Sequence, residues 1–131
     1  MSASTNKKLL QDAFAEMEKG NTKPFGALMA EDFCWIATGT TKWSRAYQGL
    51  KSVREELFAP LFEQFADHYT NTATRFIAED EFVVVECKGK VNTKRGVPYN
   101  NTYCYVCRFA DGKLRELTEY FDTELVTAAL S

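Results

Sequence analysis

The sequence predicts an α+β domain, with helices first and then a curved antiparallel sheet that packs the helices on its concave side. Apolar residues recur at helical spacing through the first half of the chain. From His68 onward the period changes to two, and Asp111-Gly112 stands between the last two alternating runs as a strong hairpin signal.

Leu9, Leu10, Ala13, Phe14 and Met17 mark the first helix, and Gly20 stands where a C-terminal cap is wanted. Pro24 can open a short second helix through Leu28 and Met29. Glu31-Asp32 then lead into the compact β-like run Phe33-Cys34-Trp35-Ile36. The segment from Thr38 to Gly49, with Gly39, a Thr pair, Trp43 and Tyr47, reads as a loop or ragged hairpin. Ser52 to Phe65 places Val53, Leu57, Phe58, Leu61, Phe62 and Phe65 on one helical face, with a kink or break expected at Pro60.

Thr70 to Ile77 is the first run of the new period, and Glu79-Asp80 is a turn. Phe82 to Val91 alternates Val83, Val85 and Cys87 with Glu86, Lys88 and Lys90, so the charged side looks outward. Arg95-Gly96-Val97-Pro98 makes the next connection, and Tyr99 to Phe109 and Lys113 to Asp122 are the last strands. Glu124 to Leu130 closes the chain as an amphipathic turn, with Asp122 as its cap.

At 131 residues the chain fits one domain, 1–131, with room for a core and a small pocket. Ten Phe, six Tyr and two Trp suit a walled cavity as well as a core. A net charge of −2 without a basic stripe argues against nucleic acid. No apolar run approaches the ~20 residues of a membrane helix, and Met1 to Lys8 lacks a secretory signal's apolar segment, so the expected location is the cytoplasm. Cys34, Cys87, Cys104 and Cys107 would stay reduced there. Cys104 and Cys107 form a C-x-x-C within a strand, where their side chains point to opposite faces and cannot share a metal. Neither a metal nor a cofactor is expected.

The last strand carries the best functional lead. Leu117, Glu119 and Phe121 fall on one side, and Glu116, Thr118, Tyr120 and Asp122 on the other. Glu119 thus interrupts a greasy row, where a charge must be paired, be hydrogen-bonded or hold its proton. On the preceding strand Tyr99, Asn101, Tyr103, Tyr105 and Cys107 share one face. The opposite face, with Thr102, Cys104, Val106, Thr118 and Tyr120, is flatter and more apolar than a solvated sheet, which predicts a homodimer through it.

Trp35 in the first strand, Gly49 ahead of the long helix, the run Gly96, Pro98, Tyr99, Asn101, Tyr103 to Phe109, and Asp111-Gly112-Lys113 with Glu119-Tyr120-Phe121-Asp122 together carry a family resemblance. The chain resembles the SnoaL-like branch of the NTF2-like superfamily, which includes polyketide cyclases, limonene epoxide hydrolase and ketosteroid isomerase. The resemblance implies a cone: N-terminal helices on a strongly curved antiparallel or mixed sheet enclosing an apolar pocket, often in a dimer. An epoxide-hydrolase-like site has its last-strand carboxylate at Glu119, but its Arg-x-Asp pair falls on Cys87 and Gly89, and that part fails. A steroid-isomerase-like site wants a tyrosine from helix one, which offers only Phe14 and Met17. A polyketide-cyclase-like site asks for one acid or base among neutral donors in an apolar cavity.

On this reading Glu119 is the acid or base, with Asn101 and Tyr103 turned toward the pocket as neutral donors. Phe14, Met17, Trp35, Trp43, Cys87, Tyr99, Leu117 and Phe121 form the expected wall, and His68 either joins it or is a polar boundary residue. The expected function is a metal-free isomerase, cyclase or hydrolase acting on a small hydrophobic molecule. The alternatives are a non-catalytic binding protein with the same cavity, and a structural network in which Glu119 merely satisfies Asn101, Tyr103 or Arg75.

Overall fold

The computed structural model describes residues 2–131. The helices are α1 (Ala3–Met17), α2 (Lys23–Leu28), α3 (Leu50–Ser52), a π-helical stretch (Val53–Phe58), α4 (Ala59–Glu63) and α5 (Thr123–Ala129). The strands are β1 (Met29–Ala37), β2 (Ala46–Gln48), β3 (Thr70–Glu79), β4 (Phe82–Lys90), β5 (Thr102–Ala110) and β6 (Lys113–Phe121). They form one six-stranded sheet in the order β2-β1-β6-β5-β4-β3. The sheet is mixed, because β1 runs parallel to β6 while every other neighbouring pair is antiparallel. It remains open, with β2 and β3 as its edges.

The alternation seen in the sequence sets which side of the sheet is buried. Val83, Val85 and Cys87 of β4, Tyr103, Tyr105, Cys107 and Phe109 of β5, and Leu117 of β6 are all buried beneath α1 and its neighbours. Cys107 faces this core while Cys104 of the same C-x-x-C is only half-buried on the other side, as a spacing of three in a strand requires. β6 contains one departure from strict alternation. Arg108 pairs with Glu116 and Phe109 with Leu114, which leaves Arg115 as an extra bulged residue and lets Leu114 and Leu117 both face inward. Without that bulge the register would present either Leu114 or Glu119 to the wrong side.

The 38–49 segment is a loop followed by β2, which pairs with β1 as the ragged hairpin expected there. Other segments differ in detail from the sequence reading. The strand expected from Tyr99 begins at Thr102, and the chain before it is held by isolated bridges, Asn92 with Pro98 and Phe65 with Thr93. At Pro60 the long helix neither breaks nor simply kinks. Proline has no N–H, and its ring crowds the carbonyl four residues back, so the ladder just before it slips to five-residue spacing, with the Ala59 N–H bonded to Arg54 O.

A smaller apolar cluster of Phe65, Val91, Tyr99, Val126, Ala129 and Leu130 closes the far end under α5. Asp122 caps α5 by accepting from the Leu125 N–H, as expected. Among the described residues no helix is long and apolar enough to cross a membrane.

His68 is exposed and lies against the α1 terminus, where Gly20 sits at φ +90°. A Cβ on Gly20 would come within 2.0 Å of His68 Nε2, the far end of an exposed side chain that can turn aside, so the glycine is required mainly by its left-handed backbone. Gly20→Ala should therefore lower unfolding stability by about 1–3 kcal/mol in urea titration. Adding His68→Ala should recover only the steric part, and an unchanged urea midpoint in Gly20→Ala would refute this packing.

Candidate active site

The concave face is not filled with side chains. Between the sheet and the segment from α2 through the π-helical stretch to α4 lies a cavity of about 430 Å³. That volume falls within the ~300–1,000 Å³ typical of small-molecule sites. Its walls are mainly aromatic and aliphatic, with Met17, Phe25, Met29, Leu57 and Phe58 on the helical and β1 side and Tyr69, Tyr99, Tyr103 and Tyr105 on the sheet side.

Glu119 projects into this space. On β6 it lies opposite Ala37 of β1 and Tyr105 of β5, and its backbone carbonyl is held by both the N–H and the hydroxyl of Thr38. Trp35, two residues before Ala37 on β1, donates its indole N–H to Glu119 Oε1 at 2.9 Å. Trp35 is itself wedged edge-on against Phe58 and Tyr105, each with ring centroids 5.5 Å away. The indole cannot swing away, so the carboxylate is aimed by a locked donor.

No other side-chain hydrogen bond or ion pair reaches Glu119 among the described residues. The group retains some accessible surface, and the cavity it lines gives that surface somewhere to face. Burial away from bulk water is the larger influence and pushes its pKa up to about 7, while the Trp35 hydrogen bond pulls it down. Glu119 thus exchanges its proton near neutrality.

Around it stand neutral hydroxyls. Burial drives the phenols of Tyr69, Tyr103 and Tyr105 upward and Tyr99 to about 12, with the Glu119 charge adding to each rise. The Tyr103 hydroxyl partly offsets the rise at both Tyr69 and Tyr99. Asn71 donates to Tyr69 Oη at 3.1 Å and reaches Tyr105 Oη at 3.5 Å, and Asn101 donates to Tyr99 Oη at 3.2 Å. A phenol oxygen that already accepts an amide N–H keeps its own proton free to donate.

Of the expected site residues, Glu119, Tyr103, Tyr99, Trp35 and Met17 line the cavity. Asn101 does not. It is fully buried, and its amide is consumed by the Asp122 N–H at 3.0 Å, the Asp122 carbonyl at 3.1 Å and Tyr99. It positions Tyr99 and joins the chain before β5 to the start of α5, so a donor role toward a bound molecule is not available to it. Phe14, Cys87 and Leu117 are packed in the core beside the cavity and do not line it. Trp43 and Phe121 bridge the two apolar clusters, where their bulk joins the loop before β2 to α5. His68 is outside the cavity, against Gly20.

Tyr69, Asn71, Tyr105 and Phe58 are lining residues that the sequence reading did not select. A polar Asn71 on the inward parity of β3 was the available signal. Phe58, Leu61 and Phe62 lie on the apolar helical face already recognised, but such a stripe reads the same whether it meets a core or a hollow.

The Arg-x-Asp pair of an epoxide-hydrolase-like site is not matched, and Gly89 stands at one of its positions. A Cβ on Gly89 would sit tightly against Tyr103 at 3.1 Å and Tyr69 at 3.2 Å, so a side chain there would need those rings to give by a few tenths of an ångström. Among the described residues no group of three or more His, Cys, Asp or Glu could hold a metal ion.

The SnoaL-like domain family matches residues 10–117, ending two positions before Glu119. No curated protein matches the chain. Similar solved structures include an NTF2-like protein from Burkholderia xenovorans LB400, at 23% identity, TM-score 0.74, and coverage of 100% of this chain and 99% of that one. A candidate SnoaL-like polyketide cyclase from Jannaschia sp. CCS1 is 20% identical, with TM-score 0.75 and coverage of 98% and 93%. A candidate isomerase from Bacillus subtilis is 19% identical, with TM-score 0.74 and coverage of 98% and 95%. At these identities the structures establish the fold and the family match establishes the kinship: the chain belongs to the SnoaL-like domain family and has the NTF2-like fold.

Proposed function

We propose that this protein is a small-molecule enzyme of the isomerase or cyclase kind, using Glu119 as general acid/base on a mostly apolar substrate held in the 430 Å³ cavity. The observation that carries the reading is Glu119 itself, a carboxyl group in an apolar hollow, with one neutral hydrogen-bond partner and a pKa near 7. In its ionised form Glu119 removes a proton from carbon next to a substrate carbonyl. The C–H electron pair moves through the new C=C bond onto the carbonyl oxygen. Tyr103 or Tyr105 donates to that oxygen, where a buried donor is worth more than in water. Glu119, now protonated, returns the proton to another carbon, or the enolate carbon attacks a second carbonyl and closes a ring, the C=O π pair moving to its oxygen and the resulting alkoxide taking the proton back from Glu119. A hydrolase reading is weaker, because Cys87 and Gly89 do not supply the Arg-x-Asp pair with its second carboxylate.

Activity is expected to rise with pH through about 7 as the base form appears, on a substrate found by thermal-shift screening of lactones, enones and steroids. Glu119→Gln should lower kcat by about 10²–10⁴ with little change in KM. Undiminished turnover in that variant excludes the assignment, and a ligand bound but recovered unchanged points to a binding protein.

The same group makes stability depend on pH. Its pKa is raised from 4.5 in the unfolded chain to about 7 in the fold, so its favourable contribution is complete below 4.5 and is lost as pH rises through 7. Relative to Glu119→Gln, the wild type should lose about 3 kcal/mol between pH 4.5 and pH 8. Parallel stability curves for the two proteins across that range would place the carboxylate in bulk water.

We also propose a homodimer through the outer face of the sheet. Register aligns Ile77, Val84, Val106, Thr118 and Ile36 in one row across five strands, next to exposed Tyr120. Flanking rows carry Arg75 and Glu86 on one side and Arg108 and Glu116 on the other, which suits a desolvated stripe with a charged rim. Sedimentation at micromolar concentration should give a dimer mass that Val106→Glu converts to monomer. A monomer in the wild type rejects the interface.

A further inference from the structure

We infer that the substrate of this site is a carboxylic acid, its apolar body inside the cavity and its carboxylate left at the mouth between Lys23 and Arg54; the inference rests on the cavity being the substrate site. Among the described residues three charged side chains line the hollow: Lys23 of α2, Arg54 of the π-helical stretch and Glu119. Lys23 and Arg54 are exposed as well as lining, which places them at the opening, while Glu119 lies within. The opening therefore carries positive charge from two separate elements, in a chain whose net charge is −2.

These two cations are not neutralised by the protein. Among the described residues Arg45, Arg75 and Arg115 each pair with a carboxylate, whereas neither Lys23 nor Arg54 has an ion pair. Glu56, near Arg54 in the chain, is engaged by Arg45 and Ser52. Among the described residues no acid other than Glu119 lines the cavity, and Thr22, Gly26, Ala27 and Phe62 beside the two cations are neutral. An amine would meet repulsion at this mouth. A carboxylate would meet attraction from both the Arg54 guanidinium and the Lys23 ammonium.

The arrangement also fixes which end of such a molecule enters. Carrying an ionised carboxylate inward would strip its water and bring it beside Glu119, with only neutral hydroxyls to receive it. Leaving it at the mouth keeps it hydrated and paired, and delivers the opposite end of the substrate to Glu119. The aromatic walls from Trp35, Phe58, Tyr69 and Tyr105 then take the apolar body. Lys23 and Arg54 act as specificity determinants, with Glu119 as the reacting group.

Three probes of one shape test this by titration calorimetry at pH 6, where the acid is ionised: 2-naphthylacetate, 2-(2-naphthyl)ethanol and 2-(2-naphthyl)ethylamine. The expected order of affinity is acid, then alcohol, then amine, with the acid about three- to tenfold tighter than the alcohol at low ionic strength. In the Lys23→Gln/Arg54→Gln double variant, and in wild type at high salt, that preference should fall below about twofold while the alcohol binds as before. Equal affinity for acid and alcohol in wild type, or a preference that survives the double substitution, overturns this inference and leaves the proposed chemistry of Glu119 standing. Uptake of none of the three probes overturns both, because the cavity would then not be a small-molecule site.

Discussion

The hydrogen bond from Trp35 to Glu119 is the contact around which the concave face is organised. A carboxylate in an apolar hollow is tolerated when enough donors surround it, or when it can carry its proton at neutral pH. Here one indole N–H at 2.9 Å is its side-chain partner. That is sufficient to aim the group and insufficient to hold it ionised, so its pKa settles at about 7. Two or three N–H donors or a guanidinium would have fixed the charge and ended any exchange of protons.

The architecture follows from keeping that contact and the space beside it. The parallel pairing of β1 with β6 brings Trp35 and Glu119 onto neighbouring strands, and the Arg115 bulge puts Leu114, Leu117 and Glu119 on the concave side together. Gly89 lets the rings of Tyr103 on β5 and Tyr69 just before β3 pack closely over it, since a Cβ there would press on both at 3.1–3.2 Å. On the opposite wall the π-helical slip before Pro60 falls in the segment that contributes Arg54, Leu57 and Phe58 to the cavity. A mid-helix irregularity of this kind often accompanies a functional site, because it turns side chains to directions that a regular helix does not offer.

Period-two alternation made the sheet readable, and with it the inward direction of Glu119, because side-chain sidedness in a strand depends only on parity. Parity likewise puts Tyr99, Asn101 and Tyr103 on one face, and the family resemblance turns Asn101 and Tyr103 toward the pocket, which holds for Tyr103. It failed for Asn101, which has the right parity but lies before β5 begins, where its amide is taken up by the Asp122 backbone. It failed for Cys87 and Leu117 because parity separates core from solvent but not core from cavity; both face inward and are packed solid. Trp35 was chosen as a wall residue, and its bond to Glu119 could not be read, since it joins side chains 84 positions apart through a parallel pairing that no local pattern announces. Tyr69 and Asn71 are not legible because they lie just before and at the start of the edge strand β3, where a Thr-rich run gives little sign of an inner side.

A purely structural role for Glu119 would require it to close a network, and the arrangement does the opposite. Arg75 pairs with Glu86 on the outside, Asn101 is saturated by Asp122 and Tyr99, and neither bonds to Glu119. A register pin built this way would leave the carboxylate raised in pKa and the cavity beside it unfilled, both of which lower stability while fixing nothing that the Thr38 bonds to the Glu119 carbonyl do not already fix. Replacing Glu119 by an apolar residue would remove the first of these costs at once. On the proposed reading that incomplete satisfaction is used: a guest's acidic hydrogen would complete the hydrogen bonding that the protein leaves open.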